Sequence, residues 1–193
     1  MEPGTPKDRH MTTRRTGQRS PRITPDSTVK RLLLPSPVGP LFVEYDEAAV
    51  RYLHFWPQGA HPPAGTRVEP TRDDPLGWRV AEQLREYFAG RRRDFDLPLA
   101  PEGTEFQRRV WDALRRIPFG QTRSYGQVAD DVACRAPRAV GQANRHNPLP
   151  IVIPCHRVLA SGGGIGGYAG QWEQGEGLER KRWLLRHEGA AGF

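Results

Sequence analysis

Two capping-box patterns, Thr104 with Gln107 and Ser124 with Gln127, fix the starts of two short helices twenty residues apart. In each, a hydroxyl and a Gln three residues on satisfy the orphan N–H groups of a helix start, so little else fits there. The first helix carries Phe106, Val110, Leu114 and Ile117 on one face and stops at Pro118-Phe119-Gly120; the second carries Val128 and Val132. Ala136-Pro137 opens a third helix that runs to about Arg145 and ends at Asn147-Pro148. Short helices joined by tight turns are consistent with a helix-turn-helix, and equally with a structural helical hairpin. Ala136, Ala139, Gly141 and Ala143 make the third helix thin, which suits close approach to a nucleic-acid groove or close helix packing.

The chain has 193 residues, enough to bury a real core. Residues 1–28 are rich in Pro, Arg, Thr and Ser and read as a disordered basic tail, with Met11 left open as the true start. Leu32-Leu33-Leu34, Leu41-Phe42-Val43 and Val50 to Trp56 read as short strands, and Asp74-Pro75 opens a helix through Val80, Leu84 and Phe88 that Gly90 stops. Residues 29–100 are thus a small α+β unit. Residues 91–103 read as a linker, and 101–193 form the second domain, ending in a helix from Leu178 to Glu188.

The net charge is +7, unevenly placed. Residues 1–31 carry 8 Lys/Arg against 3 Asp/Glu, and residues 104–158 carry 9 against 4. Such segments favour polyanions through counterion release, although a solvated face and a sticky tail would look the same. Two cysteines are too few for a disulfide framework or a four-cysteine zinc site, and no apolar stretch has the length of a membrane span.

One of those cysteines stands in Pro150-Ile-Val-Ile-Pro-Cys-His-Arg-Val158. A thiol beside an imidazole has the parts of an activated nucleophile, while a lone cysteine in apolar company is commonly inert. The run reads as extended, which would send Cys155 and His156 to opposite sides unless a turn or a bridging water intervenes. A glycine-rich loop follows, Gly162 to Gly170, that lets backbone approach a ligand but matches no phosphate-binding motif.

Taken together, these residues resemble the O6-alkylguanine-DNA alkyltransferases, which move an alkyl group from DNA to their own cysteine. The resemblance is close over residues 104–189 and looser over 29–100. It rests on Phe106…Val110-Trp111…Leu114, Ile117-Pro118-Phe119-Gly120, Ser124-Tyr125, Arg138-Ala139-Val140-Gly141, Asn147-Pro148, Pro154-Cys155-His156-Arg157-Val158, Gly166-Gly167-Tyr168 and Trp183-Leu184-Leu185…Glu188. It implies an α+β protein: a ribonuclease H-like sheet-plus-helix domain, then a helical, winged helix-turn-helix-like alkyltransferase domain.

The resemblance also implies roles. Cys155 accepts the alkyl group, His156 withdraws its proton through a water, Glu188 orients the imidazole, and Asn147 braces the turn before the cysteine. Tyr125, Val158, Tyr168 and Ala169 would contact the flipped base, Arg138 would replace it in the stack, and Ser124, Ala139, Gly141 and Arg145 would lie against DNA. The product is a thioether that no group here could break, so each molecule would act once, with no cofactor and no metal. The implied partner is double-stranded DNA holding an alkylated guanine, O4-alkylthymine being open. The implied protein is a monomer in a bacterial-type cytoplasm, at the nucleoid when bound, with cooperative loading open. A lesion-binding protein without chemistry, or a cysteine hydrolase, would be the alternatives. Three departures stand out: His146 where the family usually has Gly, Gln171 to Glu176 inserted before the last helix, and the tail before Val29, for which the family offers no counterpart.

Overall fold

The computed structural model describes residues 29–167 and 175–193, so the basic tail, Tyr168, Ala169 and most of the Gln171–Glu176 insertion lie outside the described residues. Three antiparallel strands, β1 (Lys30–Leu34), β2 (Leu41–Tyr45) and β3 (Val50–Phe55), form a sheet in that order. Leu32, Val43 and Leu53 stand in cross-strand register and are buried, which puts one face of the sheet on the core. Against it lies α1 (Pro75–Phe88), capped by the Asp74 side chain as the Asp-Pro pair predicts. Tyr45 locks that cap by donating its hydroxyl to Asp74 Oδ2 at 2.5 Å.

The helical part follows as the capping boxes require. Helices α2 (Glu105–Arg115) and α3 (Tyr125–Asp131) both carry the complete reciprocal box, and α4 (Pro137–Arg145) starts on its proline. Helix α5 (Glu176–His187) closes the chain, starting two residues before the Leu178 that the apolar pattern marks. Trp111 of α2 is buried and donates its indole N–H to the Ala143 carbonyl of α4 at 2.9 Å. That bond joins the first and third helices across the second. Buried apolar side chains from Leu32 to Leu184 form one continuous cluster, and Leu159, Leu185 and Ala190 form a satellite. Among the described residues, no helix is long and apolar enough to cross a membrane.

Three readings change. Residues 98–100 are not merely a linker: Pro98 O accepts from Val50 N–H and Ala100 N–H donates to Val50 O, because the edge of β3 leaves those groups to be satisfied. Two-residue strands β4 (Arg123–Ser124) and β5 (Val158–Leu159) pair in parallel, which no local pattern announces. The apolar run before the cysteine is not extended. Residues 149–153 form a turn with Ile151 at φ 76°, and Cys155–Arg157 form a single 3-10 turn.

Replacing Trp111 with Phe deletes the indole donor and part of a buried ring at the α2–α4 contact. We expect it to cost about 2 kcal/mol of stability by urea denaturation, with the slope unchanged.

Candidate active site

The 3-10 turn is held in place from both ends. On its N-terminal side, Asn147 donates from Nδ2 to Ile153 O at 2.8 Å and accepts Leu149 N–H at Oδ1 at 3.0 Å. These two bonds span the left-handed Ile151, a conformation that costs a β-branched residue about 1–3 kcal/mol. Asn147 is therefore a brace for the turn. On the C-terminal side, β5 pairs with β4, setting Val158 against Arg123 and Leu159 against Ser124. Ser124 is also the N-cap of α3, so Tyr125, the first residue of that helix, is delivered beside Cys155. Burial, followed by the charge of a Cys155 thiolate, raises the Tyr125 pKa, with Asn144 opposing it, and the hydroxyl remains a donor.

Cys155 keeps 5% of its surface exposed and His156 keeps none. The turn resolves the problem of adjacent side chains, since in it Cys155 and His156 do not point to opposite faces of a strand. His156 meets Glu188, the C-cap residue of α5, with Nε2 and Oε1 2.8 Å apart. Glu188 also accepts from Arg157 twice, Nε to Oε2 at 2.8 Å and Nη2 to Oε1 at 3.0 Å. Tyr87 donates its hydroxyl to Oε1 at 2.8 Å, and Gly120 donates its N–H to Oε2 at 3.2 Å. Burial would raise the Glu188 pKa, but the donors from His156 and Arg157 outweigh it and hold the carboxyl ionised.

Those charges decide the tautomer. An ionised Glu188 accepts only, so the proton of the neutral ring sits on Nε2 and the lone pair on Nδ1. Nδ1 is buried and takes no donor from the described residues. Burial is the main reason the His156 pKa falls, with Glu188 opposing and the Arg157 and Lys181 charges assisting. A neutral imidazole with a free Nδ1 lone pair is a competent base.

Four of the remaining groups had no role assigned from the sequence. Lys181 is wholly buried on α5 and donates to Val158 O at 2.6 Å and Gly167 O at 3.4 Å. Burial pushes its ammonium down to about 8, and the charge of Cys155 pulls it up. Its place among Leu178, Leu184 and Leu185 marked it: a Lys on the apolar face of a helix. Arg157 lay inside the signature. Asn144, buried on α4, donates to Cys155 O at 3.3 Å, and its polarity on that buried face was the clue. Gly120 has φ 77°, and a Cβ there would stand 2.8 Å from Glu188 O, so only glycine fits.

The chain matches two family models along most of its length. Residues 29–101 match the ribonuclease-like domain of 6-O-methylguanine DNA methyltransferase, and residues 105–190 match its DNA-binding domain. The chain belongs to the 6-O-methylguanine DNA methyltransferase family. The methylated-DNA–protein-cysteine methyltransferase of Mycobacterium tuberculosis H37Rv is 44% identical over 154 residues, covering 79% of this chain and 88% of the relative. That of Methanosarcina acetivorans is 40% identical over 164 residues, covering 80% and 95%. Among solved structures, M. tuberculosis OGT in complex with DNA superposes with a TM-score of 0.69 at 40% identity, covering 83% of this chain and 93% of that one.

Against this family background, the DNA-facing expectations divide by exposure. Arg138 and Arg145 are exposed, seven residues apart and so on one face of α4, with Ala139 and Gly141 half-buried beside them. Ser124 spends its hydroxyl on the helix cap. His146 departs from the family pattern without strain, at φ −92°, its ring Nδ1 2.7 Å from Gln142 O of its own helix. Tyr125 has the glycine loop on one side: a Cβ on Gly166, at φ 64°, would lie 3.5 Å from its ring.

Removing Asn147 as Ala leaves Ile153 O and Leu149 N–H to find other partners over a strained turn. We expect about 1–3 kcal/mol lost in urea denaturation, and slower alkylation of Cys155 in the folded fraction. The electrostatics give a second expectation. His156 and Glu188 hold fewer protons folded than unfolded, so acid removes their stabilisation. Loss begins near pH 6.5 as unfolded histidine protonates, His54 contributing through its own burial to about 4. It continues below about 4.3 through Glu188. Thermal midpoints recorded from pH 8 to 4 should fall monotonically. Glu188→Gln should cost about 3–5 kcal/mol at pH 7 by stranding Arg157.

Proposed function

We propose that this protein repairs DNA by moving the alkyl group of an O6-alkylguanine irreversibly onto Cys155, one group per molecule. The observation that carries the reading is the chain of contacts behind the thiol: His156 with its lone pair on Nδ1, seated on an ionised Glu188. A Cys-His-carboxylate order is the logic of an activated nucleophile. The relatives named above are methylated-DNA–protein-cysteine methyltransferases, and one is solved on DNA.

The reaction balances as follows. The thiol gives its proton through a water to Nδ1 of His156, and the sulfur attacks the alkyl carbon in line. The S–C bond forms as the C–O bond breaks, and the electron pair leaves with O6. The guanine anion is relieved by a hydrogen bond from the Tyr125 hydroxyl and takes a proton on returning to the neutral base. Lys181 places a buried ammonium near the sulfur, where it favours the thiolate. Nothing in the site can hydrolyse a thioether, so turnover stops after one event.

Access requires the target nucleotide to leave the duplex, at a cost of a few kcal/mol that an ill-paired alkylated base lowers. Arg138 fills the space left behind; its planar guanidinium suits stacking and pairing. Arg145 and the basic surface of residues 104–158 engage phosphates, while Ala139 and Gly141 keep α4 narrow. The family resemblance assigns Val158, Tyr168 and Ala169 to the base pocket, the last two lying outside the described residues. Residues 1–28, 29–100 and 101–193 act as basic tail, supporting domain and reactive domain, in a monomer working on double-stranded DNA in the cytoplasm without cofactor or metal.

Intact mass before and after mixing with an O6-methylguanine duplex tests this. One methyl per molecule on a peptide holding Cys155, absent in Cys155→Ala, is the expected result. Continued turnover, or binding without modification, would overturn it. Lys181→Met, which keeps the length and removes the charge, should slow single-turnover methylation at pH 7 by about tenfold.

A further inference from the structure

Among the polar contacts between the ribonuclease-like half of the chain and the reactive half, one meets the carboxylate behind the imidazole and is not used by the mechanism above. Tyr87, near the end of α1, is wholly buried and donates its hydroxyl to Glu188 Oε1, 101 residues away in sequence. Oε1 is the same oxygen that takes the His156 proton. The ring is clamped: Phe88, Phe95 and Phe119 stand 5.2, 5.4 and 6.2 Å from it between centroids. His187 packs at 5.1 Å and donates its Nε2–H to the Tyr87 carbonyl at 2.7 Å. A phenol so confined is held on Glu188 Oε1. It cannot ionise either, since burial and then the Glu188 charge hold its proton in place.

We propose that Tyr87 is a positioning residue for alkyl transfer: its hydroxyl shares Glu188 Oε1 with His156 and sets how strongly the carboxylate holds a proton on that imidazole. The ribonuclease-like domain thereby tunes the base of the other domain. An oxygen with one donor fewer is a stronger partner for imidazolium. The other groups facing the pair are Arg157 and Cys155 from the turn, Lys181 from α5 and the Gly120 N–H after α2. None of them replaces the lost hydroxyl, because each already has its own place on the carboxylate or beyond it.

This rests on Cys155 being the acceptor and His156 the base. The test is the single-turnover rate of Cys155 methylation by a saturating O6-methylguanine duplex, followed by intact mass from pH 5 to 9. It compares wild type, Tyr87→Phe and Tyr45→Phe. Tyr45→Phe is the control for structure: it removes another buried hydroxyl that holds α1, on Asp74, without touching Glu188. All rates are read at a temperature below every variant's melting midpoint. In Tyr87→Phe the acid limb of the profile should move up by about half to one pH unit. At pH values below both midpoints that is about a three- to tenfold loss, with rates above pH 8 within about twofold of wild type. Tyr45→Phe should overlay wild type even where its midpoint falls. A Tyr87→Phe profile that overlays wild type, or one that Tyr45→Phe reproduces, would overturn the proposal. Absence of methylation in wild type would instead overturn the reading of Cys155.

Discussion

One buried carboxylate organises this protein. Glu188 accepts five hydrogen bonds from three separate stretches of chain, Tyr87 in α1, Gly120 after α2, and His156 and Arg157 beside the thiol, while its own backbone N–H closes α5 on Leu184 O. A buried ion is tolerated only when its charge and lone pairs are met, and here both are. The consequence is that the last helix, the turn after α2, the reactive turn and the ribonuclease-like domain cannot shift independently. Loosening any one leaves a charge in the core without its full set of donors.

The reactive turn is the second element under constraint. Ile151 sits in a backbone conformation that disfavours its side chain, and Asn147 spans it with two hydrogen bonds. Downstream, β4 and β5 set Val158 against Arg123 and Leu159 against Ser124, the N-cap of α3. The nucleophile is thus suspended between a strained turn and a short parallel pair. Neither grants it freedom to reorient, so the direction of the Cys155 side chain is settled before any substrate arrives.

How much of this could be read beforehand follows from the range of each interaction. Capping boxes, the Asp74-Pro75 start and the strand triplets are local and were legible to within a residue or two, as the complete boxes at Thr104 and Ser124 attest. Cys155, His156 and Glu188 were legible through the signature and its resemblance to a known family. The turn at residues 149–153 was implied only by the resemblance, because Ile-Val-Ile has the composition of a strand and the bonds from Asn147 to Leu149 and Ile153 that override it leave no mark in composition. Tyr87 was beyond reach for a similar reason: nothing near it announces a partner 101 residues away. Lys181 and Asn144 fall between, polar residues on buried helix faces whose anomaly was visible but whose partners were not.

The buried charges near the thiol then explain why the site favours reaction. Among the described residues, Arg157, Lys181 and Glu188 are buried ions around the turn, while desolvation keeps His156 neutral. Two cations face one carboxylate, and Arg157 already consumes that carboxylate in a two-point contact. Lys181 is left with two carbonyl oxygens, which solvate an ammonium but do not neutralise it. Burial alone would drive its proton off, and a negative charge on Cys155 opposes this. A neutral thiol leaves the interior with an excess positive charge; an ionised one balances it. The same arrangement that makes Lys181 costly to bury therefore makes the nucleophilic form of Cys155 the electrostatically complete one.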